Sequence, residues 1–489
     1  MALVGLAFIP WYIRIMGPEA YGLVGFFAML QAVFMMLDMG LSPTIVRETA
    51  RFQGGTSTAN DYRSLVRALE SIFFGVALLG GIALFFASES IATYWLQSES
   101  LSSESISLSL EIISVLVALR WVCGLYRGVI SGSQKLVWLG AFNSIIASLR
   151  FVVVIPWLIY AGATPEYFFA FQLGVAIIEF SGLMIYAYLL LPYLGPNITI
   201  IWEWSALKPV LKFALTIAFT TTVWVMVTQV DKLILSGLLP LSEYGYYSLV
   251  VLFAAGVTLL CSPISAALIP YMTKLEAENK HTEMIDVYRL ATQFISVLAG
   301  SATVFIFFFS IDIVEVWSSD TVMAEKVGPL LAIYVIGNGL LAVAAFPSYL
   351  QFAKGDLHLH LLGNIIFVVL FIPSVYWATV TYGAIGAAFS WASINCLSFV
   401  AWLPLVHKKF APGLNLKWYC IDIGIIVAPM ILMGIFIRNI TELSGGRTGN
   451  FAALLLIAVC LFLTGCSASS VARKNALIHL SRIVGTYRL

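Results

Sequence analysis

The sequence predicts an all-α polytopic membrane protein of about fourteen transmembrane helices, arranged as two parallel six-helix lobes followed by two C-terminal helices. Three observations carry this expectation. Of 489 residues, 61% are hydrophobic and only 10% charged, with a mean hydropathy of +0.96, whereas soluble domains carry roughly 25% charged residues. The apolar residues fall into runs of about 20, the length that crosses a hydrocarbon core when every backbone group bonds within its own helix. The sequence also matches itself at long range. Tyr21-Gly22 and Tyr244-Gly245, Tyr126 and Tyr349, Gly132 and Gly355, and Leu139-Gly140 and Leu362-Gly363 all stand 223 positions apart, and "ESIATYW" at Glu89 is followed at nearly that offset by "DIVEVW" at Asp312.

In chain order, spans are expected at 1–15, 20–46, 68–87, 108–130, 138–161, 166–191, 209–238, 244–269, 289–310, 328–352, 360–380, 384–405, 419–438 and 450–471. The first differs from the rest: thirteen residues precede Arg14, so either this helix is short or the sequence starts inside it. No cleavable leader is expected, because the first apolar run lacks a basic leader and a small-residue cleavage site. Residues 1–192 form an N-lobe, 193–208 a cytoplasmic linker, 209–405 a C-lobe, and 406–489 the last two helices with a cytoplasmic tail.

Orientation follows from Lys and Arg. Connections on one side hold only Arg14, Lys326, Arg438 and Arg447; Arg120, Arg150 and Lys232 lie within spans; the rest of the 26 Lys and Arg crowd the other side. The positive-inside rule then puts both termini in the cytoplasm. Each repeat unit has an even number of spans, so the chain leaves it on the side where it entered. The repeats are therefore expected to run parallel, with a transport cavity between the lobes and alternating access by rocking about it.

Several functions are excluded. The cysteines Cys123, Cys261, Cys396, Cys420, Cys460 and Cys466 fall in or beside apolar runs without a C-x-x-C spacing, which argues against zinc and against a disulfide framework. A net charge of +1 gives no nucleic-acid footprint. No G-x-x-x-x-G-K-[ST] segment is present, so ATP hydrolysis is not expected. Asp356, His358 and His360 do not make a metal site, since residues two apart on a helix point about 200° apart. His281, His407 and His479 lie in cytoplasmic segments without a nucleophile arrangement.

"RIMGPEAYGL" from Arg14, "LDMGL" from Leu37, "RETAR" from Arg47, "SGSQK" from Ser131 and "DKLILSGLLPLSEYGYY" from Asp231 resemble, in order and spacing, the polysaccharide and O-antigen flippases (Wzx-type). These belong to the multidrug/oligosaccharidyl-lipid/polysaccharide flippase superfamily, which also holds the multidrug and toxic-compound extruders. The resemblance covers about the first 400 residues. It implies a V-shaped, MATE-like transporter in a bacterial inner membrane that moves an undecaprenyl-pyrophosphate-linked oligosaccharide to the outer leaflet. It also implies no cofactor beyond a proton or sodium gradient or the membrane potential, and a polysaccharide polymerase and chain-length regulator as partners.

Charges inside spans give an independent line. Each costs about 2.5–3.5 kcal/mol at the centre of a spanning helix on insertion scales, so each needs a partner, water or a function. Asp38, Arg120, Arg150, Glu179, Asp231 and Lys232 are such charges. On the seven-residue helical register, Arg120 shares a face with Arg127, Arg150 with Asn143 and Trp157, Glu179 with Gln172 and Tyr186, and Asp38 with Gln31. Pairs such as Arg150–Glu179 or Arg120–Asp38 would serve structure alone. The repeat argues for function: at offset 223 the charges Arg120, Arg150, Glu179 and Asp38 face Val343, Pro373, Trp402 and Cys261. Arg14, Arg120, Arg150 and Lys232 suit an anionic ligand such as a pyrophosphate. Trp157, Tyr186 and Trp224 offer rings for sugars, or simply pack helices. Asp38, Glu179 and Asp231 are candidates for ion coupling, Asp231 ending the stripe Thr220, Trp224, Thr228, Asp231 near the outer end of its helix.

Three functions compete: a lipid-linked oligosaccharide flippase, an ion-coupled drug or metabolite antiporter of the same superfamily, and a membrane enzyme such as a glycan polymerase. A polymerase would carry a large outer loop, but the longest expected here is 87–107. An antiporter for cationic drugs would favour acidic groups over buried cations.

Overall fold

The computed structural model describes residues 2–38, 40–193, 208–441, 443 and 445–470, without the side chains of 2–4 and 208–221. Among these residues the chain forms fourteen helices and no sheet. They are α1 Ala2–Met16, α2 Pro18–Met36, α3 Leu41–Gln53, α4 Ala59–Trp95, α5 Ser103–Gly132, α6 Leu136–Ala161, α7 Pro165–Leu190, α8 Lys208–Leu238, α9 Leu241–Ala277, α10 His281–Ser318, α11 Thr321–Lys354, α12 His358–Phe410, α13 Asn415–Ile440 and α14 Arg447–Ala468. Eleven of them are long and apolar enough to cross a membrane. Their starts carry ordinary signals. The side chains of Thr58, Ser102 and Asp320 accept the N–H of Asp61, Ser105 and Met323, and Pro18 and Pro165 open α2 and α7.

Two expected boundaries change for identifiable reasons. The single span expected at 20–46 breaks, because Gly40 takes a left-handed conformation (φ 72°) and ends the run. Asp38 then turns its carboxylate onto the next helix, accepting from the N–H of Ser42 at 3.2 Å and from its hydroxyl at 2.6 Å. The repeat copy of this segment, α9, stays one helix from Leu241 to Ala277. The third span runs past 87 to Trp95, which shortens the loop expected at 87–107 to 96–102.

The spans expected at 360–380 and 384–405 are both inside α12, which reverses at Gly383 (φ 65°, ψ −149°). A straight helix would separate Ser374 and Ser390 by about 24 Å at 1.5 Å per residue. Instead, the Ser390 hydroxyl donates to the Ser374 carbonyl at 3.1 Å, so the chain folds back on itself. With α12 counted as two limbs, the passes match the expected order. The repeat is also visible in the boundaries, since α4 spans 59–95 and α10, at offset 223, spans 281–318.

The chain packs as two units, Met1–Gly245 and Tyr246–Leu489. The linker expected at 193–208 lies outside the described residues except at its ends, and α8, expected to open the second lobe, falls in the first unit. There its end docks on α4: Trp95 donates its indole N–H to the Ser236 hydroxyl at 2.9 Å. The core of this unit packs Phe73, Leu125, Tyr126 and Phe169, all within 2% of full burial.

In the second unit the last two helices close onto α10. Asp422, fully buried, accepts from Arg289 Nε at 2.8 Å and Nη2 at 3.1 Å and from Gln293 at 2.7 Å. The Gln293 carbonyl oxygen in turn accepts from the hydroxyls of Ser469 and Ser470. Nearby, Tyr288, His407 and Asn415 form a hydrogen-bonded chain at 2.7 and 2.9 Å. Asp356 pairs with Lys409 at the cytoplasm-facing end expected from the sequence, and the adjacent ammonium, ahead of the His358 N–H, holds its carboxyl below the usual range.

Candidate functional site

The first unit brings three arginines together around one buried carboxylate, Glu179. Arg120 and Arg127 stand two turns apart on α5, on the same face, and α7 presents Gln172 and Glu179 opposite them at the same seven-residue spacing. The third arm is α6. Its turn Leu149–Val153 is a wider π-turn, which leaves backbone carbonyls without their usual helical partners. The Arg150 carbonyl accepts from the Gln172 amide at 3.0 Å, and the Phe151 carbonyl accepts from the Tyr12 hydroxyl at 2.5 Å. The π-turn therefore carries Arg150 to the face of α7.

Glu179, 1% exposed, is shared by two arginines: Arg127 donates to Oε1 and Arg150 to Oε2. Arg120 takes neutral partners. Its Nη2 donates to Gln172 at 2.9 Å and its Nη1 reaches Gln31 of α2 at 3.5 Å, while its guanidinium lies 4.9 Å from the centre of the Phe27 ring. Among the described residues, the Nε–H groups of Arg120 and Arg150 are buried without an acceptor. Three guanidinium groups beside one carboxylate leave an excess of positive charge among long apolar helices. Such a set can bind oxyanions, because guanidinium donates in a planar fork that matches carboxylate and phosphate oxygens.

Of the residues singled out in the sequence, Arg120, Arg150 and Glu179 come together here. Of the two structural pairs considered, Arg150–Glu179 forms. Arg120–Asp38 does not, since Asp38 is held by Ser42 and Arg120 by Gln172. Arg127, which the sequence reading assigned to the cytoplasmic end, is a full member; its seven-residue register with Arg120 was the signal.

The other candidates sit apart. Arg14 is exposed in the last turn of α1. Trp157 spends its indole N–H on the Tyr167 carbonyl at 3.2 Å, and Tyr186 stacks on Trp138 with centroids 3.8 Å apart at 8°. On α8, buried Asp231 faces Lys232 at 3.5 Å, and the Lys232 ammonium folds back onto the Thr228 carbonyl. Trp224 is half exposed on the same helix, and the side chain of Thr220 lies outside the described residues.

Residues 1–276, more than half of the chain, match the family described as polysaccharide biosynthesis protein. The chain belongs to this family. No curated protein matches it. Among solved structures, this polysaccharide biosynthesis family member is similar to "Lipid II flippase MurJ, inward closed conformation" at 15% identity and a TM-score of 0.71, covering 96% of this chain and 98% of the other. It is also similar to an inward-facing multidrug resistance MATE family transporter of the MOP superfamily, at 12% identity and a TM-score of 0.70, over 84% and 95% of the two chains. A third likeness, at 13% identity and a TM-score of 0.55, is to a MOP superfamily transporter from Pyrococcus furiosus Vc1, covering 84% and 92%. At these identities the likenesses establish the fold, that of MOP superfamily flippases and transporters in a multi-pass membrane protein.

Proposed function

We propose that this protein is a flippase that moves an undecaprenyl-pyrophosphate-linked oligosaccharide, an O-antigen or other surface polysaccharide repeat unit, from the inner to the outer leaflet by alternating access. The observation that carries the reading is the excess of guanidinium over carboxylate in the cluster of Arg120, Arg127, Arg150 and Glu179. Membership of a polysaccharide biosynthesis family supports it, and the same excess disfavours an exporter of cationic drugs. In this reading the pyrophosphate is held by the arginines, Arg14 and Lys232 extend its path, and Trp157 and Tyr186 lie along the sugar route. Asp38, Glu179 and Asp231 couple movement to a proton or sodium gradient or to the membrane potential. The protein works in a bacterial inner membrane with both termini in the cytoplasm, feeding a polymerase and a chain-length regulator, and performs no covalent chemistry itself.

The test is surface glycan in cells that depend on this protein. Arg150→Ala should abolish it while insertion persists, because Glu179 keeps its second partner Arg127. Arg150→Lys should restore part of it, since an ammonium supplies the charge without the planar fork. Full surface glycan in the alanine variant would reduce the cluster to a helix-packing contact.

A further inference from the structure

Glu179 bridges two arginines that each have donors to spare, in a cluster where the third arginine has only amide oxygens to bind. We propose that Glu179 is an internal counter-anion: it occupies the arginines of the empty site and is displaced from them when the phosphate group of the substrate binds. This deepens the anionic-substrate reading above and rests on it.

Three observations lead here. First, the carboxylate gives one oxygen to each guanidinium, so neither Arg127 nor Arg150 has the two-oxygen fork that the group prefers. A phosphate group, with more oxygens, can satisfy both forks at once. Second, the cluster is under-filled with acceptors. Arg120 binds Gln172 and, at the long distance of 3.5 Å, Gln31, while the Nε–H groups of Arg120 and Arg150 are, among the described residues, buried without an acceptor. Buried donors of this kind favour any anion able to reach them. Third, the three arginines repel one another among apolar helices, so a site with no anion at all would be costly. Glu179 removes most of that cost between transport events. It also gives the cycle a return step, because a carboxylate fixed to α7 stays within reach of the guanidinium groups and competes for them when the substrate is to be released.

The decisive variant is Glu179→Gln, which keeps shape and one acceptor oxygen but removes the competing charge. Purified wild-type protein in nanodiscs and this variant would be titrated with inorganic pyrophosphate and, separately, with a polyprenyl pyrophosphate. Loss of one charged competitor should tighten binding about fivefold, the equivalent of a single modest ion pair. Flipping should nevertheless slow, as release loses its driving group. Tightening seen with both probes assigns the effect to the phosphate moiety; tightening confined to the polyprenyl probe assigns it to a lipid-borne one. Binding to Glu179→Gln that is equal to or weaker than wild type overturns the inference while leaving the anionic reading intact, provided Arg150→Ala still weakens it. Failure of wild type to bind either probe overturns both.

Should Glu179→Gln be poorly folded, Glu179→Asp serves instead. It retains the charge on a side chain too short to bridge Arg127 and Arg150, and pyrophosphate should raise its melting midpoint more than that of wild type. An equal rise would equally overturn the inference.

Discussion

Asp422→Ala is expected to cost about 3 kcal/mol, the lower end of the range for breaking a buried ion pair by removing one partner. Asp422 is fully buried and accepts three hydrogen bonds, from two nitrogens of Arg289 and from Gln293. Alanine would remove the carboxylate that receives the Arg289 fork and the Gln293 amide at the junction of α10, α13 and α14. The loss sits at the lower end because the Arg289 side chain keeps 29% exposure and can turn partly toward water. At about 2–4 °C per kcal/mol for a unit of this size, the melting midpoint should fall on the order of 6–12 °C. Asp422→Asn keeps acceptor oxygen for Arg289 and should recover about half of that loss. A melting curve for the alanine variant that overlays wild type would mean that apolar packing alone, around Met430 and Leu461, holds the last two helices on α10.

The succession of apolar passes was legible because hydrocarbon demands long apolar runs, and their order survives in α1 to α14. The break at Gly40 was not legible in the same way. Hydropathy continues through "LDMGL", and only the left-handed backbone at that glycine ends the helix. The break also explains why the Asp38–Arg120 pairing fails: a seven-residue register holds only along an unbroken helix, so Gln31 remains on the face of Arg120 while Asp38 swings to the start of α3. Where the helix is continuous the register worked well, linking Arg120 to Arg127 and Glu179 to Gln172.

Arg127 was missed as a site residue because an arginine near the end of a span reads equally as a cytoplasmic anchor; its partner on α7 is what separates the two. Asp422 was missed although it lies inside an expected span. A sequence cannot show that Arg289, 133 positions earlier, folds against it. The π-turn at Leu149–Val153 left no sequence signal, since its cause is tertiary: Tyr12 and Gln172 reward the carbonyls that it releases.

Gly22→Val and Gly245→Val should each destabilise the protein by about 3 kcal/mol or more, at the upper end of overpacking costs, because the obstacle is backbone. A Cβ at Gly22 would collide with the Leu241 carbonyl oxygen, and a Cβ at Gly245 with the Pro18 carbonyl oxygen and the Gly22 nitrogen. Leu241 stands 223 positions after Pro18 and Gly245 the same distance after Gly22, so the two copies of the repeated segment meet through matching positions. That reciprocity is why the Tyr-Gly pair recurs: each glycine makes room for the other copy's backbone, as small residues do wherever membrane helices approach closely. Leu241 is further fixed by its N–H, which donates to the Gln97 carbonyl at 2.6 Å, so it cannot easily retreat from a new side chain. Alanine at either glycine should already lower the melting midpoint. Valine at Gly140, which has open space around it, should leave the midpoint nearly unchanged and controls for the intrinsic effect of losing a glycine in a helix. If Gly22→Ala and Gly22→Val both melt with Gly140→Val, the close approach of these two segments does not contribute to stability.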